Sequence, residues 1–306
     1  MGEAALRVVE GRERAASARE PAEEWLGALR AEGKSPRTVE TYGLSVRLLL
    51  EHTGGELPTR RQVRSFVADQ IATRFAGTAV CRLRGVKSFT RWLHEEGEAA
   101  ENVAAGMREP QVQTPLTRVL RDDELRALIA DCERFGSFHC VRDLAILRLY
   151  ISTGVRLSEG AYLRLADVDL GGGVVRVVRG KVGRSRRVAL TPVTAQAVLS
   201  YLRARSSHRF ADLPQLWVGK TGAVTANAVY KILDRRARSV GIEDLQPHSL
   251  RHTWAHRYLA SGGTEIDAMQ LGGWTSVKML QQVYGVALAG DRALAAASRL
   301  RIGDDL

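Results

Sequence analysis

The 306-residue sequence predicts a mainly α-helical protein with a small antiparallel β-sheet, divided into an N-terminal helical domain and a second α+β domain. Three observations predict it. Apolar residues recur at spacings of three and four along most of the chain, as one buried helix face requires. Only two runs are strongly β-prone, Val174-Val175-Arg176-Val177-Val178 and Arg187-Val188-Ala189-Leu190, and a Gly/Lys-rich turn joins them. Residues 100–120 interrupt any helix with Asn102, Gly106, Pro110, Gln111 and Pro115. The length also suits about two domains at roughly 100–200 residues each.

The elements follow in order. Residues 1–16 are rich in Arg, Glu and Ala and read as a frayed lead-in. Residues 17–106 form the helical domain. Trp25, Leu26 and Leu29 make the first apolar stripe. Ser35 as N-cap and Pro36 at the first helical position open a second helix, whose Val39, Tyr42, Val46, Leu49 and Leu50 share a face. Pro58-Thr59 opens a third, through Val63, Phe66 and Val67. A fourth spans about Thr78 to Glu96, with Val80, Leu83, Val86, Phe89, Trp92 and Leu93 on one side and Arg82, Arg84, Lys87 and Arg91 interleaved.

Residues 107–116 read as the linker, and 117–306 as the second domain. Arg121-Asp122-Asp123-Glu124 starts it, since acidic residues favour a helix N-terminus. An apolar helix over Val141 to Thr153 is its expected core. The hairpin joins Ala166–Leu170 as a third strand. Helices return at Thr194–Arg203, Ala226–Val240, Pro247–Ala260 and Glu265–Leu271.

A formal net charge of +11 favours an anionic partner, nucleic acid first, although an Arg-rich proteome gives the same excess. Cys81, Cys132 and Cys140 include no CxxC pair, which fits a reducing compartment and gives no zinc motif. No stretch approaches the ~18 apolar residues of a membrane span, and no signal peptide is visible, so a cytosolic protein is expected.

Six groups carry chemistry. Arg156 follows a Thr-Gly break at the end of the apolar helix; Glu159, three residues on, either pairs with it structurally or positions it on a phosphate. Lys181 sits in the hairpin turn with Arg184, Arg186 and Arg187 nearby, either as a solvated basic turn or as a proton donor to a leaving oxygen. His248 and Arg251, at i and i+3 near a helix start, can face one anion together; His252 faces elsewhere. Trp274, after Leu271-Gly272-Gly273, offers one fixed ring N–H, or is simply a core residue. Tyr284 follows Trp274 by ten residues, either as a surface or packing tyrosine or as a nucleophile whose phenol needs neighbouring positive charge to attack.

In that order and spacing, Arg156, Lys181, His248, Arg251, Trp274 and Tyr284 resemble the tyrosine recombinase (phage integrase) family, of the two-domain Xer-like type. Ser35-Pro36-Arg37-Thr38-Val39-Glu40-Thr41-Tyr42 and Ser88-Phe89-Thr90-Arg91-Trp92-Leu93 are similar to recurring stretches of its helical, SAM-like core-binding domain. Two departures stand out: the spacing to Tyr284 is one residue longer than in many members, and Trp274 replaces the commoner His. The resemblance implies a clamp around duplex DNA, with Arg37, Arg82, Arg84, Lys87, Arg91, Arg184 and Arg186 as DNA-binding residues. It implies a 3′-phosphotyrosine on Tyr284, no metal, cofactor or ATP, and site-specific integration, excision or dimer resolution. It further implies a tetramer on a specific double-stranded site in the cytoplasm, on the nucleoid. The Ala287–Leu300 segment would dock on a neighbouring protomer. A paralogous recombinase or accessory protein stays open as a partner. The alternatives are a type IB topoisomerase and a non-catalytic DNA-binding regulator on the same scaffold.

Overall fold

The computed structural model describes residues 17–111, 118–178 and 185–276, together with Leu280, Leu294 and Ser298. Lys181, Arg184, Tyr284, the lead-in over 1–16, the linker's second half and nearly all of the Ala287–Leu300 segment lie outside the described residues. The chain divides into two compact units, Met1–Thr114 and Pro115–Leu306.

The first unit holds α1 (Arg19–Ala31), α2 (Pro36–His52), α3 (Arg60–Thr73) and α4 (Ala76–Glu95). The Ser35 hydroxyl accepts the Thr38 N–H at 3.0 Å, so the N-cap forms where the sequence marks it. Thr59 and Gln62 form a capping box at the start of α3. Helix α4 supplies both halves of the core. Phe89 and Leu93 pack with Trp25, Leu29 and Val46. Leu83 and Val86 pack with Leu49, Val63 and Phe66. Gly85 permits the closeness of α2 and α4, because a Cβ there would lie 2.8 Å from Ser45 Cβ.

The second unit holds α5 (Asp122–Glu133), α6 (Phe138–Thr153), α7 (Leu157–Ala161), the strands β1 (Val168–Asp169), β2 (Val174–Val178) and β3 (Ser185–Ala189), and α8 (Pro192–Ser206). A two-stranded ribbon, β4 (Val218–Gly219) and β5 (Gly222–Ala223), precedes α9 (Ala226–Ser239), α10 (Pro247–Ala260) and α11 (Glu265–Gly272). The main sheet is antiparallel in the order β1-β2-β3, with Val177 opposite Arg186 and Val175 opposite Val188. Helix α6 lies in the core, where Ile146 and Leu149 join Leu128, Val175, Val177, Tyr201 and Trp217. On the same helix Asp143, fully buried, accepts hydrogen bonds from Arg142, Arg235 and Arg236. A buried carboxylate persists only when paired in this way. The ribbon and the short α7 have no counterpart in the sequence reading.

Among the described residues no helix is long and apolar enough to cross a membrane. Nor is any group of three or more His, Cys, Asp or Glu side chains placed to hold a metal ion.

Candidate active site

The site is built where α6 ends. Gly154 takes the left-handed conformation, φ +59°, and its N–H closes the helix on the Tyr150 carbonyl. A side chain here is excluded twice, since a Cβ would also stand 2.2 Å from the Trp254 ring. The turn delivers Arg156 to the N-cap of α7, whose Glu159 accepts the Arg156 backbone N–H at 2.9 Å. Two buried rings hold α7 against the core. Tyr150 Oη donates to the Leu157 carbonyl and Trp217 Nε1 to the Gly160 carbonyl.

Helix α10 brings the second arginine. Arg251 is 4 % exposed and donates through Nη1 to the Gly154 carbonyl at 2.7 Å. Its guanidinium carbon lies 3.7 Å from the centroid of the Trp274 ring. Trp254, one turn along α10, stacks on Trp274 with ring centroids 6.1 Å apart. Trp274 thus gives its faces to Trp254 and Arg251, a cation–π contact in a desolvated place.

The turn after α11 completes the frame. Gly273 is left-handed, φ +71°. Its carbonyl accepts Arg156 Nη2 at 2.7 Å, while Arg156 Nη1 donates to Glu159 Oε1 at 2.8 Å. Arg156 keeps its Nε and part of each Nη uncommitted to these bonds, and its side chain is 31 % exposed.

His248 stands at the start of α10 with an exposed edge. Partial burial, and then the charges of Arg251 and Arg156, hold its pKa below the ordinary value. Both guanidiniums thus act against the protonated form of the imidazole. His252 is pushed further, to about 4, by burial and then by His248 and Arg251. Burial alone would raise the Glu159 carboxyl, but hydrogen bonds and charge from Arg186 and Arg156 outweigh it and hold it at about 2.

The structure thus gathers Arg156, Glu159, His248, Arg251 and Trp274. Two basic residues expected on DNA are placed otherwise. Arg186 turns inward and bonds Glu159 and the Leu271 carbonyl. Its strand alternates, so Arg186 shares the inner face with the buried Val188 and Leu190. That period of two was the signal available in the sequence, and the basic run of the turn obscured it. Arg82 is half-buried and points toward Thr41 O and Ser45 Oγ, so it belongs to the α2–α4 packing. Arg84, Lys87 and Arg91 line a cleft of about 650 Å³ with Lys34, Tyr42 and Asn102. There Arg84 forms a two-pronged pair with Glu109, and Arg91 lies 3.8 Å from Glu95. Arg37 is exposed beside Glu40. The carbonyls of Gly154, Leu271 and Gly273 and the ring of Trp254 were missed, since carbonyl acceptors carry no residue-type signature.

Comparison with known proteins gives the family. The model of the phage integrase family matches residues 118–288. The tyrosine recombinase XerC of Corynebacterium glutamicum is 31% identical over 215 residues, covering 70% of this chain and 68% of the relative. That of Chromobacterium violaceum is 33% identical over 239 residues, covering 76% and 78%. Among solved structures, a lambda integrase dimer bound to a COC′ core site has a TM-score of 0.71 at 15% identity, covering 88% of this chain and 77% of that one. The Tn1549 transposon integrase in complex with transposon right end DNA has a TM-score of 0.71 at 17% identity, covering 92% and 99%. The chain therefore belongs to the phage integrase family, the tyrosine recombinases, enzymes of site-specific DNA cleavage and rejoining.

Proposed function

We propose that Arg156 and Arg251 hold the scissile phosphate of a specific duplex site while Tyr284 attacks it. The observation that carries this reading is the convergence of Arg156 and Arg251 on the frame made by the Gly154 turn and the Gly273 turn, with His248 at the start of the helix that carries Arg251. Two fixed guanidiniums in a partly desolvated place stabilise the charge that grows on the phosphate oxygens. The Tyr284 oxygen forms a bond to phosphorus, the bond to the 5′ oxygen breaks, and a 3′-phosphotyrosine results. His248 can accept the phenol proton, and Lys181 returns a proton to the leaving 5′ oxygen. The phosphodiester bond is conserved as a phosphotyrosine ester, so a 5′ hydroxyl from a second duplex reverses the step without ATP. Integration, excision and dimer resolution all use this exchange. The helical unit, through Arg37, Arg84, Lys87 and Arg91, and the hairpin, through Arg184, contact the phosphates. Four protomers assemble on paired sites in the cytoplasm, each Ala287–Leu300 segment docking on a neighbour.

The test uses nicked duplexes drawn from the flanks of the gene's own locus, incubated with EDTA and then denatured. A labelled protein–DNA adduct from wild type and none from Tyr284→Phe is expected. An adduct of equal yield from Tyr284→Phe would reject the nucleophile. Salt-sensitive binding without any adduct would favour a scaffold that binds DNA and leaves it uncut.

A further inference from the structure

Arg186 lies on β3 at the base of the basic hairpin, yet its side chain is only 12 % exposed. All three of its nitrogens donate inside the protein. Nε bonds the Leu271 carbonyl at 2.6 Å, while Nη1 and Nη2 bond Glu159 Oε1 and Oε2 at 3.1 and 2.7 Å. This forked geometry on a carboxylate is the strong form of an arginine ion pair. Glu159 is thereby shared between Arg156 and Arg186.

We propose that Arg186 is a positioning residue for strand cleavage: it holds Glu159, and through Glu159 the phosphate-binding Arg156, and makes no DNA contact. The inference rests on the reading of Arg156 given above.

Three features support it. The first is charge. A carboxylate bonded to Arg156 alone would cancel the charge offered to the phosphate. With Arg186 added, Arg156, Glu159 and Arg186 together carry a net positive charge, and Arg156 is oriented without being neutralised. The second is geometry. Arg156 and Arg186 grip one turn, at the Gly273 and Leu271 carbonyls. A Cβ on Gly273 would stand 3.1 Å from Arg186 Cζ and 3.3 Å from Arg156 Nη1, so both guanidiniums lie against the same stretch of backbone. The third is connectivity. Arg186 is paired across the sheet with Val177, so it pins the base of the hairpin to the carboxylate that orients Arg156. A lysine could keep the charge, but it has no planar fork with which to bond Glu159 and Leu271 together.

The experiment compares full-length wild type, Arg186→Gln, Arg186→Lys, Glu159→Gln and the double variant Arg186→Gln/Glu159→Gln. Duplex binding is titrated against salt with a mixed-sequence duplex, and adduct formation is timed on the nicked duplexes with EDTA. Arg186→Gln is expected to leave the slope of log K against log salt unchanged, because no phosphate contact is lost. It should slow adduct formation about 10–100-fold, the scale of a catalytic group displaced by about 1 Å. The double variant should be within about twofold of the slower single variant, since both changes break one linkage. Arg186→Lys, which retains charge and solubility if the Gln variant does not fold, should show the same split between binding and rate. A salt slope reduced by about one, as loss of a phosphate contact requires, would overturn the positioning role. So would multiplying effects in the double variant, or a wild-type rate in both Arg186 variants. No adduct from wild type would defeat the proposed function itself, and this role with it.

Discussion

Glu159 and His252 make the second unit sensitive to acid in two successive windows. The folded protein holds His252 at about 4, below the ordinary imidazole value of 6.5. Between those values the unfolded chain takes up a proton that the folded chain refuses, so stability falls as pH drops from 6.5 toward 4. His252→Gln should make that slope shallower, leaving the part that the depressed His248 contributes, in denaturant unfolding followed across this range. Glu159 acts lower. Its carboxyl is held at about 2 against an ordinary value of 4.5, so its contribution is full above 4.5 and is lost as pH falls through about 2. Glu159→Gln should therefore flatten the stability curve between 4.5 and 2 and leave the higher window to His252. At this scale the sequence was readable wherever a residue's type marks it as a candidate for the site, as for Arg156, His248 and Arg251, which the structure places around the Gly154 and Gly273 turns. It was unreadable where two arginines of one strand differ only in direction, as Arg186 and Arg187 do. Their separation depends on which face of β3 meets the core.

The elements that carry the site are short, and their ends matter more than their lengths. Helix α7 has five residues and owes its place to Tyr150, Trp217 and the Gly154 turn rather than to helix propensity. Such a piece leaves no periodic trace, nor do β4 and β5 at two residues each. Long amphipathic helices such as α2 and α4 were legible because their apolar spacing runs over several turns. Gly154→Ala should cost roughly 3 kcal/mol, from left-handed strain plus the clash with Trp254, and a thermal melt of the full chain would report it. It should also displace Arg156. Ser35→Ala removes only a cap, so a loss of about 1 kcal/mol is expected, with adduct formation unchanged. A larger loss would mean that the start of α2 is held by more than its hydroxyl.

For the molecule as a whole, a net charge of +11 and the cleft lined by Arg84, Lys87 and Arg91 point to binding dominated by phosphate contacts. Duplex affinity should fall roughly a thousandfold between about 50 and 200 mM salt if six or more phosphates are engaged. Anisotropy titrations would check it, and a flat response would contradict a DNA partner. Deleting residues 286–306 should abolish recombination between paired sites while sparing binding to a single site; unchanged recombination would rule out the docking segment. One local feature reaches across this scale. A Cβ on Gly272 would lie 2.0 Å from the Trp274 ring, and that ring is held in place by Trp254 and Arg251. Substitutions at the two positions therefore have a direction in time. Position 272 cannot leave glycine while tryptophan stands at 274, but a smaller ring at 274 opens the way. Gly272 and Trp274 thus form a coupled pair, in which a residue larger than glycine at 272 is admitted only after the tryptophan is gone.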